Sequence, residues 1–236
     1  MTGQEAGVVQ EGRRGKRTLF VTGTDTDVGK TVVSCGLLFR ARQQGMSTAA
    51  IKPISSGVVS TDAGPRNRDA LLLQRYVSMP LSYEQINPVI LTPAIAPHIA
   101  LQQAGRRISV AQLVGFCRGV MACGADLTVI EGAGGWRLPL SARELYSSVP
   151  KELNVPVVVV VAMKLGCINH ALLTAEAIAA SGLTMLGWVA NQADTMACYK
   201  ENLATLKAML PAPCLGEVPH LPDPAGSKVA CYLDFP

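Results

Sequence analysis

The clearest chemistry in this chain is carried by one short segment, Gly23-Thr-Asp-Thr-Asp-Val-Gly-Lys-Thr31. It follows a β-rich run at residues 18–22 and opens an apolar helical pattern that runs from Thr31 to about Gln44, where Gly45 ends it. At such a junction successive backbone N–H groups point into the loop, and the helix N-terminus adds partial positive charge, so the loop suits a phosphate. Lys30 would reach the β- and γ-phosphates of a nucleotide, and the Thr31 hydroxyl would bind Mg²⁺. Five residues separate Gly23 from Gly29 instead of the usual four, with Thr24 at the standard glycine position. The alternative, an ordinary glycine-rich turn, does not account for Gly-Lys-Thr at this junction.

A phosphate loop needs a partner acid for the cation. Residues 127–130 read as a buried strand that ends at Glu131, followed by Gly132-Ala133-Gly134-Gly135. Ligands bind at the C-terminal ends of parallel strands, and glycines there let the backbone approach a substrate. Asp69 is a second candidate for the metal side; its other reading is the N-cap of the helix it precedes. Lys52 closes a second strand, just before Pro53-Ile-Ser-Ser-Gly57, and Lys164 closes a valine-rich one. Each reads equally as a surface lysine when taken alone. The segment Leu165-Gly-Cys-Ile-Asn-His170 opens a helix whose N-terminus suits an anion such as a carboxylate. His98, His170 and His220 have no metal-ligand spacing, and Cys167 has no base beyond His170 in its own helix. Nothing here reads as a nucleophile–base pair.

The elements that must position these groups alternate. Strands are expected at residues 48–52, 127–130, 155–162 and 183–190. Helices are expected at residues 108–123 with Ser109 as N-cap, at 167–180 closed by Gly182, and at 197–210 stopped by Pro211. Residues 53–68 read as loop and residues 69–76 as one or two helical turns. Prolines 80, 88, 93 and 97 exclude a long helix between them. Continuous apolar strands alternating with helices imply a doubly wound, mainly parallel α/β sheet of the P-loop NTPase type, in a single domain.

Of the 236 residues 49% are hydrophobic and 16% charged, which excludes a disordered chain. The net charge is +4, of which Arg13, Arg14, Lys16 and Arg17 against Glu5 and Glu11 supply +2; the balanced remainder gives no broad basic face for nucleic acid. The apolar run at 155–163 contains Pro156 and falls far short of the roughly 20 residues of a membrane span. Residues 1–17 lack an apolar signal-peptide core and read as a polar, disordered extension before a domain at 18–236. Seven cysteines without a CxxC pair point to a reducing, cytoplasmic setting.

Taken together, the motifs resemble the dethiobiotin synthase family. The matching stretches are Phe20 to Thr31, Lys52-Pro-Ile-Ser-Ser-Gly57, Arg66-Asn-Arg-Asp-Ala70, Glu131-Gly-Ala-Gly-Gly-Trp136, Lys164-Leu-Gly-Cys-Ile-Asn-His170, Gly187-Trp-Val-Ala-Asn191 and Pro211-Ala-Pro-Cys-Leu-Gly-Glu-Val-Pro219. They follow in family order over residues 18–222. The phosphate loop alone is shared by many ATPases; the whole series, with its widened loop, is specific.

The resemblance implies an ATP- and Mg²⁺-dependent homodimer that joins 7,8-diaminononanoate and CO₂ into the cyclic urea of dethiobiotin, releasing ADP and phosphate. By resemblance, Lys52 bridges a carbamate and the γ-phosphate and Lys30 holds the phosphates. Asp27, Val28, Gly29 and Val32 complete the nucleotide loop. Thr31, Asp69 and Glu131 gather Mg²⁺, with Gly132, Ala133 and Gly134 beside them. Thr26 and Ser56 position the diamine or carbamate. Asn191 and Gln192 read the adenine, helped by Pro219, His220 and Leu221. The helix start at Gly166, Cys167, Ile168 and Asn169 holds the substrate carboxylate across the dimer interface. Asp27 stands where the best-known members carry Glu, Tyr199 and Asn202 compete for a tyrosine's carboxylate contact, and Asp223 is the candidate for a ribose contact.

Two rival readings remain at this point. A paralogous P-loop ligase would share Lys52 and Glu131 but take another substrate. A partitioning or regulatory ATPase would usually carry a second lysine before Gly-Lys, and residues 24–28 contain none; no basic amphipathic C-terminal helix appears either.

Overall fold

The computed structural model describes residues 15–192 and 194–235. In chain order the elements are β1 (Arg17–Gly23), α1 (Lys30–Gln43), β2 (Thr48–Ile51), β3 (Ile54–Ser56), β4 (Val59–Thr61), β5 (Gly64–Arg66), α2 (Arg68–Tyr76), α3 (Tyr83–Ile86), β6 (Val89–Leu91), α4 (Pro97–Gln103) and α5 (Val110–Met121). There follow β7 (Leu127–Gly135), α6 (Ser148–Leu153), β8 (Val157–Ala162), α7 (Cys167–Ala180), β9 (Met185–Asn191), α8 (Tyr199–Met209), β10 (Cys214–Val218), α9 (Gly226–Val229) and a 3₁₀ turn at Ala230–Tyr232.

Six strands form one sheet in the order β10-β9-β8-β1-β7-β2, paired in parallel throughout. The valine run of β8 shows why its sequence is continuous and not alternating. Val157, Val159 and Val161 enter the cluster that holds Leu113, Ile178 and Trp188, while Val158 and Val160 enter the cluster that holds Val33, Leu37 and Leu38. Side chains alternate across a strand, so both faces are apolar and both are covered by helices. The sheet is doubly wound, as the alternation of elements implies.

β1 lies at the centre, between β7 and β8. Its C-terminal end delivers the phosphate loop to the middle of the sheet, with the ends of β7 and β8 on either side. β2 pairs with β7 so that Ile51 stands opposite Ile130. The residues that follow are Lys52, just past the end of β2, and Glu131, still within β7, which therefore stand side by side.

Four expectations need correction. The extension read as disordered lies outside the described residues over 1–14, and the folded part starts earlier than residue 18: Arg17 begins β1 and its N–H donates to the Asp126 carbonyl at 2.9 Å. Residues 53–68 are not all loop. β3 pairs in parallel with β6, and β4 and β5 form a small antiparallel hairpin. β7 does not stop at Ile130 but runs to Gly135, with a register break opposite Val21 to Gly23. Glycine's poor strand propensity hid that extension. Finally, β10, α9 and the 3₁₀ turn follow Pro211, where no element was expected; α9 packs on α1 through Val229, which fills the space beside Gly36.

Candidate active site

α1 starts at Lys30 with Gly29 as its N-cap, in the left-handed region at φ +92°. A Cβ at Gly29 would collide with the Asn191 amide. Asn191, the last residue of β9, is buried and its Nδ2 donates to the Val28 carbonyl at 2.9 Å. β9 thereby clamps the turn that feeds the helix. Lys30 is 7% exposed, and its Nζ donates to the Asp25 carbonyl at 3.1 Å. Burial pushes its pKa down to about 8; the charge of Lys52 adds to this, and Glu131, Asp69 and Asp27 oppose it.

Lys52 stands at the centre of the constellation. Its Nζ lies 2.7 Å from Glu131 Oε1 and 2.8 Å from Asp69 Oδ2. Glu131 is fully buried, Lys52 is nearly so, and the Asp69 side chain is 41% exposed. Burial alone would lower the Lys52 pKa; the charges of Glu131 and Asp69, with the hydrogen bonds to both, outweigh it and hold it above the ordinary lysine value. Burial works to raise the pKa of Asp69, and Lys52 overcomes it, so that carboxyl sits below its usual range. Thr31 Oγ1 donates to Glu131 Oε1 at 2.8 Å. The structure thus brings Lys52, Thr31, Asp69 and Glu131 together, with Lys30 electrostatically coupled to them.

Asp69 is free for this because it does not cap α2. Asn67 does: its side chain accepts from the N–H groups of Asp69 and Ala70 at 3.1 and 3.2 Å. The N-cap reading of Asp69 is therefore replaced by Asn67. Glu131 Oε2 is buried and lacks a hydrogen-bond partner among the described residues. With Thr31 Oγ1 and Asp69 it offers hard oxygen donors for a divalent cation. Among the described residues no cluster of three or more His, Cys, Asp or Glu is set to hold a metal unaided. That donor set fits Mg²⁺, which is bound by one or two carboxylates together with phosphates and water.

Beside the loop is a cavity of about 240 Å³ lined by Asp27, Gly29, Val32, Asn191, Gln192, Val218, Pro219, His220, Leu221 and Pro224. The residues expected around a nucleotide base from both chain ends of the motif series meet here. Val218 and Pro224 were missed; they flank the Pro219–Leu221 segment and their signal was only position. Asp223 does not line the cavity and pairs with Lys228 at 3.1 Å.

Ser56 ends β3, and its Oγ is buried without a hydrogen-bond partner among the described residues. Gly134, at φ +59°, keeps the β7 backbone close to Thr26: a Cβ there would stand 3.7 Å from Thr26 Oγ1. Gly132 and Ala133 lie within β7 beneath them. Asp25 was also missed. Its carboxylate meets Lys164 at 3.3 Å, and its pKa is lowered first by the Thr26 N–H and then by that lysine. The pair joins the phosphate loop to the start of α7.

At that start Gly166 is the N-cap, and the Cys167 N–H already donates to the Lys164 carbonyl at 2.9 Å. Cys167 is also 1% exposed, so it contributes no free donor, in contrast to the expectation; Ile168 and Asn169 supply the next N–H groups of the helix. Asn202 uses its amide on the Cys198 carbonyl at 2.8 Å, and burial raises the pKa of Tyr199, which sits near Glu217 and Cys214.

An AAA domain family model matches residues 17–227. The ATP-dependent dethiobiotin synthetase BioD of Pseudomonas paraeruginosa is 54% identical over 217 residues, covering 92% of this chain and 95% of that protein. The protein of the same name from Marinobacter nauticus is 54% identical, covering 92% of this chain and 94% of its own length, and that of Cellvibrio japonicus 51%, covering 93% and 96%. Among solved structures, a ParA family ATPase from Chlorobium tepidum superposes with a TM-score of 0.53 at 14% identity, covering 92% of this chain and 91% of that one. The septum site-determining protein MinD from Pyrococcus horikoshii gives 0.54 at 17%, covering 88% and 82%. Those two share the fold alone, whereas the sequence relatives span nearly the whole chain. The chain belongs to the dethiobiotin synthetase family.

Proposed function

We propose that this chain synthesises dethiobiotin from 7,8-diaminononanoate, CO₂ and ATP, in biotin biosynthesis. The observation that carries the reading is Lys52, buried between Glu131 and Asp69 beside the phosphate loop. A cation held there by carboxylates suits a reaction in which negative charge develops on a carbamate and on a phosphoryl group in transfer.

One amine of the diamine takes up CO₂ and loses a proton, giving the carbamate. Lys52 bridges the carbamate and the γ-phosphate, while Lys30 and the loop N–H groups hold the nucleotide phosphates. The carbamate oxygen attacks the γ-phosphorus and ADP leaves, forming a carbamic–phosphoric anhydride. The second amine attacks the carbonyl carbon; phosphate departs, a proton is lost and the urea ring closes. Thr26 and the unpartnered Ser56 hydroxyl orient the diamine end. Asn191 has Nδ2 committed to Val28, which leaves Oδ1 to accept from an exocyclic amine of the base. Thr31, Asp69 and Glu131 would hold Mg²⁺, which when bound neutralises charge on the β- and γ-phosphates.

The family resemblance further supports a homodimer, with the substrate carboxylate held by the α7 start of the second subunit. Leu165, at 95% exposure beside that start, is a side chain a partner surface would cover. A cytoplasmic setting fits the seven free cysteines. Among the described residues no helix is long and apolar enough to cross a membrane.

The test is the purified protein with ATP, Mg²⁺, bicarbonate and 7,8-diaminononanoate. Dethiobiotin detected by mass, with ADP in equal amount, is the expected result. ATP turnover with a different amine and none with this one would instead establish the paralogue reading.

A further inference from the structure

Lys52 follows β2, Ser56 ends β3 and Asp69 lies in the first turn of α2. A buried polar chain joins them. The Lys52 N–H donates to the Ile86 carbonyl at 2.7 Å, and the Lys52 carbonyl accepts from Asn87 Nδ2 at 2.7 Å. Asn87 Oδ1 accepts from the Ser55 hydroxyl at 2.8 Å and from the Tyr83 hydroxyl at 3.1 Å. The Tyr83 oxygen in turn accepts from the Asn67 N–H at 2.7 Å. Asn67 then works in two directions. Its Oδ1 caps the helix that carries Asp69, and its Nδ2 donates to the Gly57 carbonyl at 3.0 Å and the Ser56 carbonyl at 3.4 Å.

Asn87, Asn67 and Tyr83 are 2%, 5% and 6% exposed. The Arg66 guanidinium lies 4.2 Å over the Tyr83 ring and pairs with Glu84 at 3.0 Å, which covers the relay from solvent. Buried hydrogen-bonded networks of this kind specify a single geometry, because breaking one link leaves a desolvated group unpartnered. A reaction that depends on positioning loses heavily from displacements of about an ångström.

We propose that Tyr83, Asn87 and Asn67 are positioning residues for the ligase reaction, setting Lys52, Ser56 and Asp69 relative to one another. The inference rests on the proposed function for its kinetic consequence, though not for its geometric one. Tyr83→Phe keeps the ring and its stacking and deletes only the hydroxyl. Asn67→Asp keeps an acceptor for the α2 cap and removes the donors to the Ser56 and Gly57 carbonyls. Thr48→Val is the comparison: it removes a buried hydroxyl at the opposite end of β2, where Thr48 bonds Tyr76 and Ser78.

In the ligase assay Tyr83→Phe lowers kcat about tenfold or more, and Asn67→Asp also raises KM for the diamine, while the ATP dissociation constant of each stays within about twofold of wild type. Thr48→Val loses comparable melting temperature with kcat unchanged. Crystal structures supply the second readout: in Tyr83→Phe the Lys52–Asp69 separation opens beyond the present 2.8 Å. A Tyr83→Phe protein with wild-type kcat, or with Lys52 and Asp69 undisplaced, overturns the relay. A wild type that makes no dethiobiotin retires the proposed function instead, and the crystallographic comparison then decides the relay alone.

Discussion

The Lys52 ammonium and the Glu131 carboxylate, 79 positions apart in the chain, meet at 2.7 Å in the interior of the protein. The cause is strand register: Ile51 pairs with Ile130, so the next residue of each strand emerges at the same point. An ion pair this buried is weak evidence for stability, since desolvation offsets much of the attraction. Its position beside the phosphate loop is what the proposed reaction draws on.

Lys52→Ala should abolish turnover while sparing nucleotide binding. Removing one such charge-stabilising donor typically costs about 10²-fold or more in kcat. It also strands Glu131 in the core, so the melting temperature should fall, and rates must be referred to folded protein. Stopped assays with calorimetric ATP titration check this; a near-normal kcat removes Lys52 from the mechanism.

Lys30 gives ATP affinity a pH dependence. Its pKa in the free protein is about 8 because burial disfavours the ammonium. Phosphate binding favours that ammonium, so affinity is flat below about pH 8 and falls above it, where binding must first take up a proton. The sign for stability is opposite. An unfolded lysine titrates near 10.4, so the unfolded chain binds more protons between about pH 8 and 10.4 and this residue's contribution to stability rises with pH there. Titrating ATP from about pH 6.5 to 9.5 tests the first point; Lys30→Ala should bind weakly without the alkaline limb.

Glu131→Gln keeps the shape and deletes a charge next to the unpartnered Oε2. Half-saturation by Mg²⁺ should move to severalfold higher concentration, and kcat should drop. Superimposable Mg²⁺ titrations would rule Glu131 out as a cation ligand.

Gly29→Ala should be far more damaging than a typical loop substitution. The left-handed backbone costs a β-carbon about 1–2 kcal/mol, and here that carbon also meets the Asn191 amide. Thermal melts should show a fall of roughly 2–8 °C with loss of ATP binding. Unchanged ATP affinity would mean that the clamp between β9 and the loop is dispensable.

A shared active site can be tested by mixing subunits. Lys52→Ala and Ile168→Pro, the latter removing an N–H in the first turn of α7, should each give a nearly inactive homodimer. In a mixed dimer one site carries both lesions and the other neither, so about half the wild-type activity per dimer should return. Mixed dimers that form, stay folded by circular dichroism and remain inactive would place the carboxylate within one subunit.

The sequence by itself determined the phosphate loop, the helix starts at Ser109 and Cys167, and the parallel class of the sheet. Those features are local: a glycine-lysine-threonine turn, a Ser109–Gln112 capping box and an unbroken valine strand carry their physics in a few neighbouring residues. Residue type alone could not rank Asp69, because a helix-capping aspartate and a site aspartate look alike until Asn67 is seen to take the cap. Nor could it show that Cys167 has no donor to offer, that Asp25 reaches Lys164, or that β7 continues through its glycines. Each of these depends on a partner distant in sequence or on strand register. Tertiary structure alone also decided the chain of hydrogen bonds from Asn87 through Tyr83 to Asn67, because these polar side chains pair with one another and with nearby backbone only once the fold has removed water from around them.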